Sequence, residues 1–245
     1  MLSEQEILQS LMKRRTRVGA PVGAGSDCNF CELNREHALG NFALDGADFL
    51  FWSINPQVHA FDDLSVMETI EAQAHTIRTA RVIAGGHPLV ISPITLRQRF
   101  NPVATGLAAP TPPGELPPQV DSRQPTEFAA EWTRTSLHAL AEAGVASATY
   151  FETAGWRGGM QRESASPLLG KFRSQPAQVF PVYRALRDFQ PKAFGLLRRI
   201  AAVQKPSAES FGRLVPTFAA ECRLLSARIH NPKRRCVSRS ASAGG

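Results

Sequence analysis

The run from His87 to Ile94 (HPLVISPI) is apolar on both of its faces, and the run from Asp48 to Ile54 (DFLFWSI) is of the same buried type. A strand with one face in water alternates apolar and polar residues, whereas a strand covered on both sides does not. Strands of the second kind belong to parallel sheets flanked by helices. A third run, Val145 to Phe151 (VASATYF), and a glycine-rich candidate, Val18 to Ala24, bring the expected strands to four. Helical stretches accompany them. Ser3 to Lys13 opens with a Ser-x-x-Glu capping box, Ser3 to Glu6, and repeats apolar residues at Ile7, Leu8 and Leu11. Leu64 to Ile83, Pro125 to Ala143 and Pro181 to Phe189 are the other expected helices, and Gly144 fits the left-handed position that ends the third. A proline-rich, irregular stretch from Arg97 to Gln124 separates two units, and a loop of that length in a compact domain is usually functional or disordered.

Each strand runs into polar residues, which predicts an α/β architecture with its site at the carboxyl ends of the strands. At 245 residues and 43% hydrophobic the chain carries an ordinary core, which excludes disorder as its main state. A complete eight-stranded barrel takes about 250 residues. Only four units fit before Gln190, so the sheet is open or the chain holds half a barrel. The charge divides at the same place. Residues 191–245 carry 11 Lys and Arg against 2 Asp and Glu, while residues 1–190 carry 17 against 19. The body is slightly acidic, and the net +7 comes from a basic tail.

No apolar run approaches the roughly 18 to 20 residues of a membrane helix. The N-terminal MLSEQEILQSLMKRR lacks the basic start and apolar core of a signal peptide, so a cytoplasmic protein with no membrane partner is expected. Cys28 and Cys31 form a C-x-x-C, but the remaining cysteines, Cys222 and Cys236, lie in the tail. Two incidental thiols are expected rather than a zinc or redox site. The histidines form no i, i+4 pair, and neither a metal nor a cofactor is expected.

The strand exits deliver Asp27, Asn29, Glu32, Asn34 and Arg35; then Asn55, His59, Asp62 and Asp63; then Thr95, Arg97, Arg99 and Asn101; and last Glu152, Trp156 and Arg157. Glu32 and Glu152 follow strands three positions apart, which in a barrel face each other across the mouth. Such a pair divides acid and base work when its surroundings separate the two pKa values. Trp156 offers a flat wall for a sugar face. Each residue also has a plainer reading. Glu32 fits a helix start, and Asp62 and Asp63 fit a helix N-terminus favoured by the macrodipole. Glu152 ends an apolar run, where a carboxylate is costly unless paired or functional.

The stretches GAGSDCNFCELNRE (Gly23 to Glu36), SINPQVHAFDD (Ser53 to Asp63), PLVISPITLRQRFNP (Pro88 to Pro102), PPGELPPQVD (Pro112 to Asp121) and TYFETAGWRG (Thr149 to Gly158) resemble the D-apionate lactonases, also called D-apionolactonases. The resemblance runs from about Val18 to Phe189 and matches the carboxyl-terminal half of that family's barrel. It implies a partial (β/α)8 TIM barrel of about four βα units over residues 1–190. The family carries β-rich flanking domains and opens a sugar-acid lactone in apiose catabolism. Residues 191–245 match no expected β domain and read as an irregular basic tail, the aberrant or frame-shifted end of a truncated product. The Cys28 and Cys31 positions depart from the family's pattern, which weakens the C-x-x-C further.

The expected function is therefore a lactone hydrolase of the carboxylic ester class, converting D-apionolactone to D-apionate, with activity in doubt for so short a chain. Chemistry and position assign Glu152 as general base, Glu32 as its acid partner, and His59 with Arg157 as stabilisers of developing negative charge. Asn29, Asn55 and Trp156 would orient the sugar. Two rivals remain. A glycoside hydrolase would use the same Glu32 and Glu152. A nucleic-acid-binding protein would use the basic tail, although Phe194, Phe211 and Phe218 are that tail's only aromatics and no nucleic-acid motif accompanies them. Half a barrel also leaves raw strand edges, so self-association is expected.

Overall fold

The computed structural model describes residues 5–14, 19–99, 101, 109–189 and 226–228. The first unit comprises α1 (Gln5–Lys13), β1 (Gly23–Ser26) and α2 (Phe30–Ala38), and the second β2 (Phe49–Ile54) and α3 (Asp63–Ala84). Next come β3 (Leu89–Ile94), α4 (Glu127–Glu142) and β4 (Ser147–Tyr150). The short strands β5 (Glu152–Ala154) and β6 (Gly158–Met160) precede α5 (Pro181–Arg187), and β7 is Ser226–Arg228.

Strands β1 to β4 lie side by side in chain order, all parallel, and β7 adds antiparallel to β4. Leu50 is in register with Leu89, and Ile91 with Ala148. Leu50, Trp52, Leu89, Ile91, Ala148 and Tyr150 are buried. The residues between them, including Phe49, Phe51, Val90, Ser92 and Thr149, are half-buried. The helices account for the difference. The Phe30 ring of α2 lies 5.2 Å from that of Trp52. The Tyr150 hydroxyl meets Ser136 Oγ of α4 at 2.7 Å, and Ser136 donates to Gln73 Oε1 of α3 at 2.8 Å. Because Ser136 spends its proton on Gln73, Tyr150 is the donor. Burial pushes the Tyr150 phenol well above its usual range, so it keeps that proton. Four parallel strands with helices on one side are half of what a (β/α)8 barrel needs, and the sheet is not closed among the described residues.

Helix ends follow local chemistry. Asp62 caps α3 by accepting from Ser65 N at 2.9 Å, so Asp62 and Asp63 serve as the helix start that their sequence suggested. Gly85 closes the same helix with φ 53°. Gly144, at φ 75°, follows α4, and Arg81 donates to the carbonyls of Ala143 and Gly144 there.

Two expectations need correction. The first strand occupies Gly23–Ser26 instead of Val18 to Ala24. Two contacts set its start: Val22 N donates to the Asp48 carboxylate at 2.8 Å, and Asp48 N donates to Val22 O at 2.7 Å. The segment after β4, expected as a loop, holds the β5 and β6 pair. Apart from Ser226–Arg228, the expected tail 191–245 lies outside the described residues.

Gly25 marks the tightest point of the sheet, since a Cβ there would fall 1.8 Å from the Phe51 carbonyl oxygen. Gly25→Ala should therefore lower stability by about 3 kcal/mol, the upper range for overpacking against a part that cannot yield. Gly170→Ala, where a Cβ meets nothing within 4 Å, should stay within about 0.5 kcal/mol of the parent. Urea unfolding followed by circular dichroism measures both.

Candidate active site

The exits of β1, β2 and β3 converge on a small cleft that opens to solvent. Asp27, Asn29, Ser53, Asn55, Thr95 and Arg99 are among its lining residues. Ser53 Oγ donates across the strands to the carbonyls of Asp27, at 2.9 Å, and Cys28, at 2.8 Å, which fixes the turn out of β1. Asn29 occupies the N-cap position of α2, yet its side chain makes no cap. Its Oδ1 accepts instead from Asn55 Nδ2 at 2.9 Å. Asn55 Oδ1 is buried and receives no hydrogen bond. A buried acceptor left unpaired costs about 1 to 3 kcal/mol, which a donor from a bound ligand would relieve.

The other expected site residues lie outside the lining of this cleft. Glu152 is the first residue of β5 and pairs with Arg157 at 2.5 Å. Phe151, immediately before it, sits at φ 56°. A bulky side chain in the left-handed region is strained, and here the turn redirects the chain as it leaves β4. Glu32 lies in the first turn of α2, where its Oε2 accepts from the Cys31 thiol at 3.0 Å. Burial, then the neighbouring Glu32, pushes that thiol up. Cys28 is buried and Cys31 exposed, and they are not joined by a disulfide. His59 is exposed on the β2–α3 connection. Trp156 donates from Nε1 to Ser166 Oγ at 2.9 Å and rests against Phe172, with 6.2 Å between ring centroids. The structure thus joins Asn29 to Asn55 and Glu152 to Arg157, and packs Trp156 onto the core.

Sequence reasoning missed the network beside the cleft. Asp121, with only 3% of its side chain exposed, accepts a two-pronged contact from Arg123: Nε to Oδ1 at 2.9 Å and a terminal nitrogen to Oδ2 at 2.8 Å. Gln57 Nε2 donates both to Asp121 Oδ2 and to the Leu96 carbonyl, each at 2.6 Å. Arg123 also reaches Gln57 Oε1 at 2.9 Å and Asp63 at 2.6 Å. Burial alone would raise the Asp121 carboxyl, but the bonds from Arg123 and Gln57 outweigh it and hold it below its ordinary value. Gln57 and Asp121 are 64 positions apart, and no periodicity links them. The one local signal was an acid and an arginine two residues apart within a proline-rich stretch.

Among the described residues, no group of three His, Cys, Asp or Glu side chains could hold a metal ion, and no helix is long and apolar enough to cross a membrane. A family model described as D-apionate lactonase, TIM barrel domain, matches residues 4–193. A curated relative, the D-apionate lactonase of Brucella anthropi, is 42% identical over 83 residues. That match takes in 34% of this chain and 13% of the relative, so the chain corresponds to a small part of the relative's length. No solved structure matches.

Removing the Asp121 charge should be expensive. Asp121→Asn removes one of the two carboxylates paired with Arg123, leaving Asp63, and should cost about 2 kcal/mol at neutral pH, the range of a hydrogen bond to a charged group. The carboxyl titrates lower in the folded chain than its ordinary value of 3.8. Its contribution is therefore complete above that value and is lost as pH falls below it. Unfolding of parent and variant across pH should show a gap that is constant at neutral pH and closes in acid.

Proposed function

We propose that this chain, which belongs to the D-apionate lactonase family through its TIM barrel domain, binds and opens a sugar-acid lactone, D-apionolactone, to give D-apionate. The observation that carries this reading is the Asn29 and Asn55 pair at the strand exits, with the Asn55 carbonyl oxygen buried and unpaired. A hydroxyl-bearing ring supplies the donor that oxygen lacks, while the Thr95 hydroxyl, whose proton goes to the Arg97 carbonyl at 2.7 Å, can only accept.

Opening a lactone requires a base to take a proton from water, donors to hold the oxyanion on the former carbonyl, and an acid to protonate the ring oxygen as it leaves. In this reading Glu152 is the base. Its position after Phe151, at the carboxyl end of β4 where the strand exits gather, supports the assignment. Arg157 and His59 stabilise the oxyanion. Glu32, protonated at the outset, gives its proton to the leaving ring oxygen, and solvent then carries the proton held by Glu152 back to Glu32. Asn29, Asn55 and Trp156 orient the ring, Trp156 from the loop that carries Arg157. No metal or cofactor enters the scheme. β1 pairs only with β2 among the described residues, and we extend the reading to self-association through that edge.

Acid release from D-apionolactone, titrated at constant pH, tests the scheme. The chain should exceed the spontaneous rate and leave an aryl glycoside intact, and Glu152→Gln should reduce turnover by about a hundredfold. A parent chain at the spontaneous rate would overturn the reading, and near-normal turnover in the variant would remove Glu152 from it.

A further inference from the structure

Several side chains that line the cleft have given protons to the protein itself. Ser53 Oγ donates to the carbonyls of Asp27 and Cys28, Thr95 Oγ1 to that of Arg97, and Asn55 Nδ2 to Asn29 Oδ1. A hydroxyl has one proton, so toward a ligand Ser53 and Thr95 can only accept. Asn55 Oδ1, buried and unpaired, is an acceptor as well. Gln98 and Arg99, which bring donors to the lining, follow β3, and the side of the cleft made by the ends of β1 and β2 is rich in acceptors.

Asp27, an exposed residue directly after β1, adds a carboxylate to that side. Its backbone is held from three directions. The Asp27 carbonyl takes the Ser53 hydroxyl at 2.9 Å, Cys28 N donates to Ser26 Oγ at 3.1 Å, and Ser53 N donates to the Cys28 carbonyl at 3.2 Å. The carboxylate is therefore presented from a fixed turn. The Cys28 thiol, 3.6 Å from Asp27 Oδ1, is a weak donor that a hydroxyl outcompetes. A ligand suited to this side brings several donors of its own, as a ring with neighbouring hydroxyls does.

We propose that Asp27 is the specificity-determining residue of the cleft: its carboxylate accepts from neighbouring hydroxyls of one ring, while Asn55 Oδ1 accepts from another hydroxyl of the same ring. A carboxylate has two oxygens and no proton to give, which matches a pair of adjacent hydroxyls. A ring without hydroxyls would displace water from these acceptors and leave them unpaired, which is how a polar site rejects an analogue that lacks the group it was built to hold. This inference rests on the reading of the chain as a sugar-lactone binder, and it adds the feature of the lactone that is recognised.

Saturation-transfer NMR titrations with anhydroerythritol, an unreactive five-membered ring with neighbouring hydroxyls, test it on the parent chain, Asp27→Asn and Asp27→Ala. Tetrahydrofuran, the same ring without hydroxyls, and pyrrolidine, which carries an ammonium, are the comparisons. Hydrogen bonds to a charged group correspond to about ten- to a hundredfold in affinity. Asp27→Ala should weaken the diol by that factor, and Asp27→Asn, which keeps one acceptor and the side-chain shape, should fall between it and the parent. Tetrahydrofuran should bind the parent at least about tenfold more weakly than the diol does, and no more weakly to the variants. Diol binding equal in parent and both variants would overturn the proposal, and pyrrolidine held more tightly than the diol would overturn it and assign the acceptors to a cation. Hydrolysis of D-apionolactone, assayed on the same parent chain, separates the two readings. A parent that hydrolyses it without binding the diol overturns the role of Asp27 alone, whereas a parent that binds the diol through Asp27 without hydrolysis overturns the lactonase reading alone.

Discussion

Parallel pairing obliges the chain, on leaving each strand, to travel back along the sheet before it can pair again. Everything that positions the cleft follows from that obligation. The returns are made by α2, α3 and α4, and they leave every exit of β1 to β4 at the same end. The helices can pack only because alternate strand residues present a continuous apolar surface: Leu50 and Trp52, then Leu89 and Ile91, then Ala148 and Tyr150. The polar contacts buried there are few, and Tyr150, Ser136 and Gln73 form a chain across β4, α4 and α3 that keeps the two helices in fixed relation to the strand.

Order at the strand exits has a different source, because loops lack the ladder that holds strands. Here a carboxylate supplies it. Asp121 is nearly inaccessible, and an ionised carboxylate in such a place is stable only with strong donors around it. Arg123, Gln57 and the Arg123 backbone N–H provide them. The consequence is that the described part of a proline-rich segment, held locally by isolated turns, becomes the brace between the β2 and β3 connections. The cation–π contacts of Arg97 with Phe61 and of Arg123 with Phe128 extend that brace to apolar neighbours.

The strands with the least ambiguous sequence were found where expected. HPLVISPI and DFLFWSI are apolar on both faces, the signature of parallel strands, although among the described residues only the helix-covered face is fully buried. β1 was legible only as glycine-rich, since GAGS owes its place to a close approach at Gly25 and to the Asp48 contact, neither of which leaves a pattern. α2 left no apolar stripe because Leu33 is its one buried residue. In the site, Asn29 and Asn55 were legible as polar exits, whereas their mutual hydrogen bond was not. Asp27 and Glu32 are both legible as carboxylates after β1, and their surroundings differ. The cleft is lined by Asp27, and Glu32 is turned toward its own helix. Side-chain direction at the start of a helix is set by the cap, and an asparagine at the N-cap position that binds another strand's exit instead is a tertiary choice.

Charge sharpens what the cleft can select. The family match ends at residue 193, within a few positions of the point where the composition turns basic. The net +7 of the chain is therefore a property of residues outside the matched domain almost entirely, and it says little about the ligand. Inside the domain the sign is decided locally. Arg99 and Asp27 line the same cleft, while Arg97 and Arg123 are paired with Asp121 beside it. A site whose cations are mostly committed to carboxylates suits a neutral ring better than a dianion. The proposed lactone is neutral and meets that condition, whereas its carboxylate product would find few uncommitted cations.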